Sequence, residues 1–154
     1  MMSDKKIKRV VIAGGGTSGW LAASAFSKLL GKNLDICLIE SAEIGRIGVG
    51  EATIPPMRGF NKLLGVDEQQ FMREIQATFK LGIEFKNWAE KGDDYIHSFG
   101  VTGKECWACD FQHFWLSGKK RNIADDFGRY CVEFHAAKEG KILGPQSAGV
   151  NYAY

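Results

Sequence analysis

Three groups of residues in this chain have the types and spacing for chemistry: a glycine-rich turn, an acid beyond it, and a single lysine. The stretch Gly14-Gly15-Gly16-Thr17-Ser18-Gly19 fits G-x-G-x-x-G. In that pattern the first glycine (Gly14) makes a tight turn. The second (Gly16) lets backbone approach a pyrophosphate, and the third (Gly19) lets a helix pack on a strand. The helix N-terminus at Thr17 and Ser18 then offers N–H groups to the phosphates. Glu40 follows about twenty residues on, at the end of an apolar run, where a carboxylate accepts from ribose hydroxyls and disfavours a phosphorylated ribose. The combination predicts a dinucleotide site; a chance glycine turn is the competing explanation. Lys80 stands in ATFKLGIEFKNW, where Phe79, Leu81, Ile83 and Phe85 alternate with Lys80, Gly82, Glu84 and Lys86. An ammonium there can donate to an oxidant and polarise it, and a free amine in a dry pocket can be attacked itself. Gly82 leaves room on the same face. Because Glu84 and Lys86 share that face, a plain solvated strand is the alternative.

A second glycine-rich loop, GVGEATIPP, begins eight residues past Glu40. Its small residues Gly48, Gly50 and Ala52 let backbone lie against a flat ring, which favours a flavin over a nicotinamide. The alternative is an ordinary connection into a helix that starts at proline. His97 and Phe99 fall on one face of a short strand; a hydrogen-bonded histidine beside a buried aromatic fits that pattern equally well. Cys106-x-x-Cys109 and Cys131-x-x-x-His135 have gaps that suit tetrahedral zinc. A lone CxxC is a weak signal, and its neighbours Trp107, Phe111, Phe114 and Trp115 read as packing. No metal is assigned.

The elements that must position these groups follow from periodicity. Residues 7–13 form a near-continuous apolar run, the mark of a parallel strand buried on both faces. Residues 18–30 carry apolar side chains at helical spacing, Trp20 among them as a packing residue, and Gly31 stops the helix. Residues 34–39 make a second buried strand, with Cys37 as a small core residue. Strand, turn, helix and strand in this order are half of a dinucleotide fold. The expected fold class is α/β, a Rossmann-like dinucleotide-binding module, incomplete in this chain. Residues 57–64 read as a short helix. Asp67 caps another that runs to about Ala77, with Gln70 as its partner. Residues 79–86 read as a half-buried strand, Gly92-Asp93-Asp94 as a turn, and 95–99 as the returning strand. Helices are expected over 111–116 and 127–138. The last stretch, LGPQSAGVNYAY, carries no pattern that closes a sheet. The whole of 1–154 is therefore expected to be the front part of a larger FAD-binding domain.

A net charge of +2 and the lack of a long Lys/Arg run argue against nucleic acid or an anionic membrane as partner. The basic lead Lys5–Arg9 reads as a solvated entry to the first strand. No apolar stretch approaches the ~20 residues of a membrane span. The start is too short in its apolar part for a signal peptide and runs directly into the glycine turn, so a cytoplasmic protein is expected.

Taken together, GGGTSGW, GVGEATIPP and the lysine of FKLGIEFKNW resemble the start of the flavin-dependent tryptophan halogenase family. The resemblance covers most of residues 10–88. It implies a Rossmann-like FAD-binding module of the flavin-monooxygenase type bearing a substrate module, reduced flavin from a separate reductase, and halide as co-substrate. Hypohalous acid made from flavin, oxygen and halide then reaches a lysine beside an aromatic small-molecule substrate. The matching lysine is Lys80, which would hold or be halogenated by the hypohalous acid; His97 and Phe99 resemble the pair that packs on the indole. The family's tryptophan-rich WxWxIP motif and a later glutamate are absent, so this chain alone is not expected to turn over. A flavin-dependent aromatic hydroxylase shares the cofactor but needs neither halide nor lysine. A non-catalytic dinucleotide-binding fragment is the reading from a different class.

Overall fold

The computed structural model describes residues 6–45, 52–142 and 150–154. It divides into two compact units, Met1–Glu51 with Asn61–Val66, and Ala52–Phe60 with Asp67–Tyr154. In the first unit, β1 (Arg9–Ala13) and β2 (Asp35–Ile39) pair in parallel, Val10 beside Ile36 and Ile12 beside Leu38. Helix α1 (Thr17–Leu30) connects them and ends at Gly31, whose φ of 54° suits glycine. The crossover is thus the expected strand–turn–helix–strand.

Burial departs from the sequence reading. The two strands are not covered on both faces: side chains alternate between half-buried and exposed along each. Val10, Ile12, Ile36 and Leu38 share the half-buried face. Val11 and Ile39 are 54% and 56% exposed on the other, and Cys37 is exposed there rather than in the core. A continuous apolar run reports that both faces dislike water; it does not report what covers them. Arg9 and Asp35 close the strand starts with an exposed ion pair on that outer face.

The second unit is built from short elements. Helix α2 (Pro56–Leu64) has only Pro56–Phe60 in this unit, its remainder being counted with the first; it starts on a proline, as the first-turn preference of that residue favours. Helix α3 (Glu68–Glu74) begins where expected, with the Asp67 carboxylate accepting from Gln70 N at 2.7 Å. It ends three residues earlier than the sequence suggests, because Gln76 turns into the left-handed region at φ 53°. Gln76 N and Ala77 N then close on the carbonyls of Arg73 and Met72, a Schellman end. Strands β3 (Gly82–Phe85) and β4 (Tyr95–Ser98) form an antiparallel hairpin, with Gly92 at φ 100° in the connection. Helix α4 spans Phe111–Lys120. The helix expected over 127–138 is broken: Phe127–Tyr130 is a 3₁₀ turn, Cys131 is extended and buried, and α5 covers Val132–Lys138.

The core of this unit is not where periodicity put it. Tyr152, Ala153 and Tyr154 are among the most buried residues described, and Leu81 packs with the two tyrosines. Met57, Phe71, Met72 and Val150 pack around them. Residues 152–154 are therefore part of this unit's core, which the sequence pattern did not show. Ala153 pairs with Lys80 through two backbone hydrogen bonds of 2.8 Å, N–H to carbonyl in each direction. Thr53 flanks the same segment, its N–H donating to the Tyr154 carbonyl at 2.6 Å. Among the described residues no helix is long and apolar enough to cross a membrane.

Candidate functional site

The glycine turn of the first unit has the geometry that its spacing predicts. Gly14 sits at φ 125° and donates its N–H to the Ile39 carbonyl at 2.9 Å, tying the turn to the end of β2. A Cβ on Gly19 would overlap the Gly14 carbonyl oxygen, so only glycine lets α1 start this close to the turn. A Cβ on Gly16 would meet no atom within 4 Å, so that position faces open space. Gly16 is also the N-cap of α1. It brings no capping side chain, and the first turn holds no acid. The first backbone N–H groups of α1, Thr17 and Ser18 among them, therefore lack the capping carboxylate or hydroxyl that many helices carry. Phosphate oxygens suit such a terminus, by hydrogen bonding and by the helix dipole.

The turn opens on a cavity of about 990 Å³ lined by Gly14, Gly16, Thr17, Trp20, Ile39 and Glu40. The Glu40 carboxylate lies against Gly15, where a Cβ would displace it, and accepts from Trp20 Nε1 at 3.4 Å. Trp20 is 52% exposed and lines this cavity, which differs from the packing role its helical position suggests. The N–H groups expected to meet a pyrophosphate and the carboxylate expected to meet ribose hydroxyls thus border one cavity. Gly48 and Gly50 lie outside the described residues. Ala52 is described, exposed, at the start of the second unit.

In the second unit Lys80, His97 and Phe99 come together. Lys80 is half-buried and does not belong to a strand over 79–86. Only Gly82–Phe85 pairs with β4, while Lys80 pairs with Ala153 instead. Lys80 Nζ donates to the Thr53 carbonyl at 3.1 Å and lies 5.4 Å from the centre of the Phe99 ring. His97 is exposed, with its ring edge-on to Phe99 at 6.4 Å. Gly82 does not leave space beside the lysine: a Cβ there would meet the His97 carbonyl at 2.6 Å and Ser98 Cα at 2.9 Å. That glycine instead admits the β4 backbone. Glu84, expected on the lysine's face, is taken up by Lys138 at 2.6 Å and Lys86 at 3.6 Å; the Lys138 hydrogen bond is the main reason its carboxyl sits below the usual range.

Sequence reasoning missed the group that gathers Tyr152 and Tyr154. Glu68 accepts from Arg58 Nε at 3.0 Å, from the Tyr152 hydroxyl at 3.0 Å and from the Tyr154 hydroxyl at 3.1 Å. Arg58 also stacks on Tyr152, 3.6 Å above the ring centre. Burial pulls the Glu68 carboxyl upward, but these three hydrogen bonds together outweigh it and hold the group below 4.5. Tyr152 moves the other way, raised by burial and by its carboxylate partner. The pairing of two tyrosines with an acid 84 and 86 positions away has no local sequence signal.

The remaining motifs have structural partners. Cys106 and Cys109 face each other across a two-residue turn, joined by two backbone hydrogen bonds, and among the described residues no three His, Cys, Asp or Glu side chains gather for a metal. Cys131 is buried with its thiol 3.1 Å from Glu133. Phe111 and Trp115 pack on Phe127, whereas Trp107 is fully exposed.

The family model for tryptophan halogenase matches residues 9–154. This chain belongs to that family. Tryptophan 6-halogenase ThaL of Streptomyces albogriseolus is 33% identical over 171 aligned positions, which cover 98% of this chain and 32% of that protein. Among solved structures, Xcc4156, a flavin-dependent halogenase from Xanthomonas campestris, is 56% identical with a TM-score of 0.83 over 96% of this chain and 30% of its own. BrvH, a flavin-dependent halogenase from Brevundimonas sp. BAL3, is 36% identical with a TM-score of 0.78 over the same shares. The chain spans about a third of the length of these relatives. The α/β, Rossmann-like fold of the FAD-binding type expected from the sequence stands with these likenesses.

Proposed function

We propose that this chain is the N-terminal, FAD-binding part of a flavin-dependent halogenase acting on an indole-like or other aromatic ring. In this reading the Gly14–Gly19 turn and the start of α1 hold the pyrophosphate, and Glu40 accepts from the ribose. The donor set fits the cofactor: backbone N–H groups at an uncapped helix start, open space beside Gly16, and a carboxylate on the same cavity. Bound FAD, reduced by a separate reductase, supplies hypohalous acid from oxygen and halide. The outer face of β1 and β2, with Val11 and Ile39 exposed, supports a sheet whose second covering layer comes from the rest of such an enzyme.

The observation that carries the reading is the seating of Lys80. Its backbone is fixed by Ala153, and its ammonium is steered by Thr53 toward Phe99. An ammonium has three donors. One is given to the Thr53 carbonyl, leaving two to hold and polarise hypohalous acid. Should the lysine react as a free amine, one N–H bond is exchanged for an N–halogen bond and water leaves. Phe99 and His97 offer flat surfaces on which an aromatic ring can stack beside that nitrogen.

The test supplies the protein, at its full encoded length, with reduced FAD, oxygen and an aromatic substrate, with and without bromide. The expected product carries bromine in place of one ring hydrogen and forms only when bromide is present. A product one oxygen heavier, formed equally without bromide, would assign a hydroxylase. Failure to bind FAD would remove the flavin reading altogether.

A further inference from the structure

We infer that Glu68 is a positioning residue for Lys80, acting through the segment Tyr152-Ala153-Tyr154; the inference rests on the reading of Lys80 given above. The geometry runs in an unbroken line. The Glu68 carboxylate receives the hydroxyls of Tyr152 and Tyr154 and the Arg58 guanidinium, so both tyrosines are held from one side by a single charged group. Tyr152 is 0% exposed and Tyr154 7%, so hydroxyls held away from water need protein partners, and both donate to Glu68. Between them, Ala153 exchanges two backbone hydrogen bonds with Lys80. On the opposite flank, Tyr154 exchanges hydrogen bonds with Thr53: Thr53 N–H and Oγ1 both donate to the Tyr154 carbonyl at 2.6 Å, and Tyr154 N donates to Thr53 Oγ1 at 3.0 Å. Thr53 in turn accepts from Lys80 Nζ.

The segment is therefore a rail between Lys80, whose backbone it holds, and Thr53, whose carbonyl holds the lysine's tip. Adjacent residues of an extended segment point their backbone groups to opposite sides. Ala153 and Tyr154 use that alternation to reach Lys80 and Thr53 at once. Tyr152 and Tyr154, two apart, place their side chains on one face. Glu68 is the point where those two side chains converge. Three residues make a short strand, and it is tied at two points: Asn151 N–H donates to Glu133 Oε1 at 3.0 Å, and the tyrosine hydroxyls donate to Glu68. The Glu68 end is the charge-assisted anchor that holds the side chains of Tyr152 and Tyr154. Glu68 acts on the lysine through the rail, while its bond to Arg58 reaches the stretch that follows Thr53; Tyr154→Phe, which leaves Arg58 in place, isolates the rail.

The experiment reads the lysine directly and needs no turnover. The folded protein is reductively methylated at pH 7.5 with formaldehyde and a borohydride, well below its melting midpoint, and each lysine is followed by peptide mass spectrometry. Wild type is compared with Glu68→Gln, Glu68→Ala and Tyr154→Phe. Lys80 should label roughly tenfold faster in Glu68→Ala, the factor carried by loss of a charge-assisted hydrogen bond. Glu68→Gln, which keeps an acceptor, should fall between it and wild type. Lys86 and Lys138, which pair with Glu84, should label at unchanged rates. Unchanged Lys80 labelling in folded Glu68→Ala overturns the inference, as does an increase shared equally by all three lysines. If Glu68→Ala does not fold, Tyr154→Phe decides: it removes one hydroxyl and keeps the ring, and Lys80 labelling must still rise more than that of the controls. Lys80→Ala with intact halogenation would sink the catalytic reading alone, whereas flat labelling would sink the rail alone.

Discussion

Gly19→Ala separates a tight turn from an ordinary one. In an isolated helix alanine is favoured over glycine by about 1 kcal/mol, so with no other effect the variant would be more stable. Gly19 is helical, and its backbone carries no strain of its own. The added Cβ, however, would overlap the Gly14 carbonyl oxygen, and Ile12 Cγ2 stands 3.6 Å away on the other side. The obstructing atom is backbone, fixed by the bond from Gly14 N to the Ile39 carbonyl, so it cannot swing aside. Overpacking of this kind costs about 1–3 kcal/mol. The net expectation is a loss of up to about 2 kcal/mol, with the start of α1 pushed off the turn. Thermal unfolding should show a lower midpoint, and FAD titration followed by flavin fluorescence should show weakened binding. Gly16→Ala is the control: its Cβ meets nothing in the protein, so stability should hold while FAD affinity falls. A Gly19→Ala protein as stable as wild type, with unchanged FAD affinity, would refute the close approach of helix and turn.

Other perturbations follow from the same geometry. Because the Glu68 carboxyl is held below its ordinary value of 4.5, the stability it lends is fully present above 4.5 and is lost as pH falls from there through the lower value of the folded state. Acid unfolding of Glu68→Gln should accordingly start from a lower midpoint and depend less steeply on pH below 4.5, and an unchanged pH profile would contradict the network. Gly82→Ala should lower the unfolding free energy by about 1–3 kcal/mol, since its Cβ has only the β4 backbone to displace; chemical denaturation measures this. Asp35→Asn removes an exposed ion pair and should cost under about 1 kcal/mol, less at high salt.

The first unit was largely legible because its signals are local. A glycine turn between an apolar run and a helical pattern fixes the strand–turn–helix–strand order and predicts the places of Gly14, Gly19 and Glu40. Coverage was not legible: the runs at β1 and β2 look alike whether or not a layer lies above Val11 and Ile39. In the second unit the hairpin and the Asp67 cap could be read, since both depend on residues a few positions apart. The seating of Lys80 could not, because Thr53 lies 27 residues before it and Ala153 far beyond. The alternation over 79–86 matches the structure only from Leu81 on; Phe79 is exposed and Lys80 half-buried, because the partner changes from β4 to Ala153 between Gly82 and Lys80. Four residues such as NYAY are too few for any period to show. Their importance comes from Glu68, through contacts no spacing rule contains.

The most direct measurement is single-turnover bromination by the Lys80→Ala protein at its full encoded length, with reduced FAD, oxygen, bromide and an accepted aromatic substrate, read beside its FAD affinity. The account predicts that brominated product disappears while flavin binding is unchanged. Bromination at near the wild-type rate in that variant would contradict it.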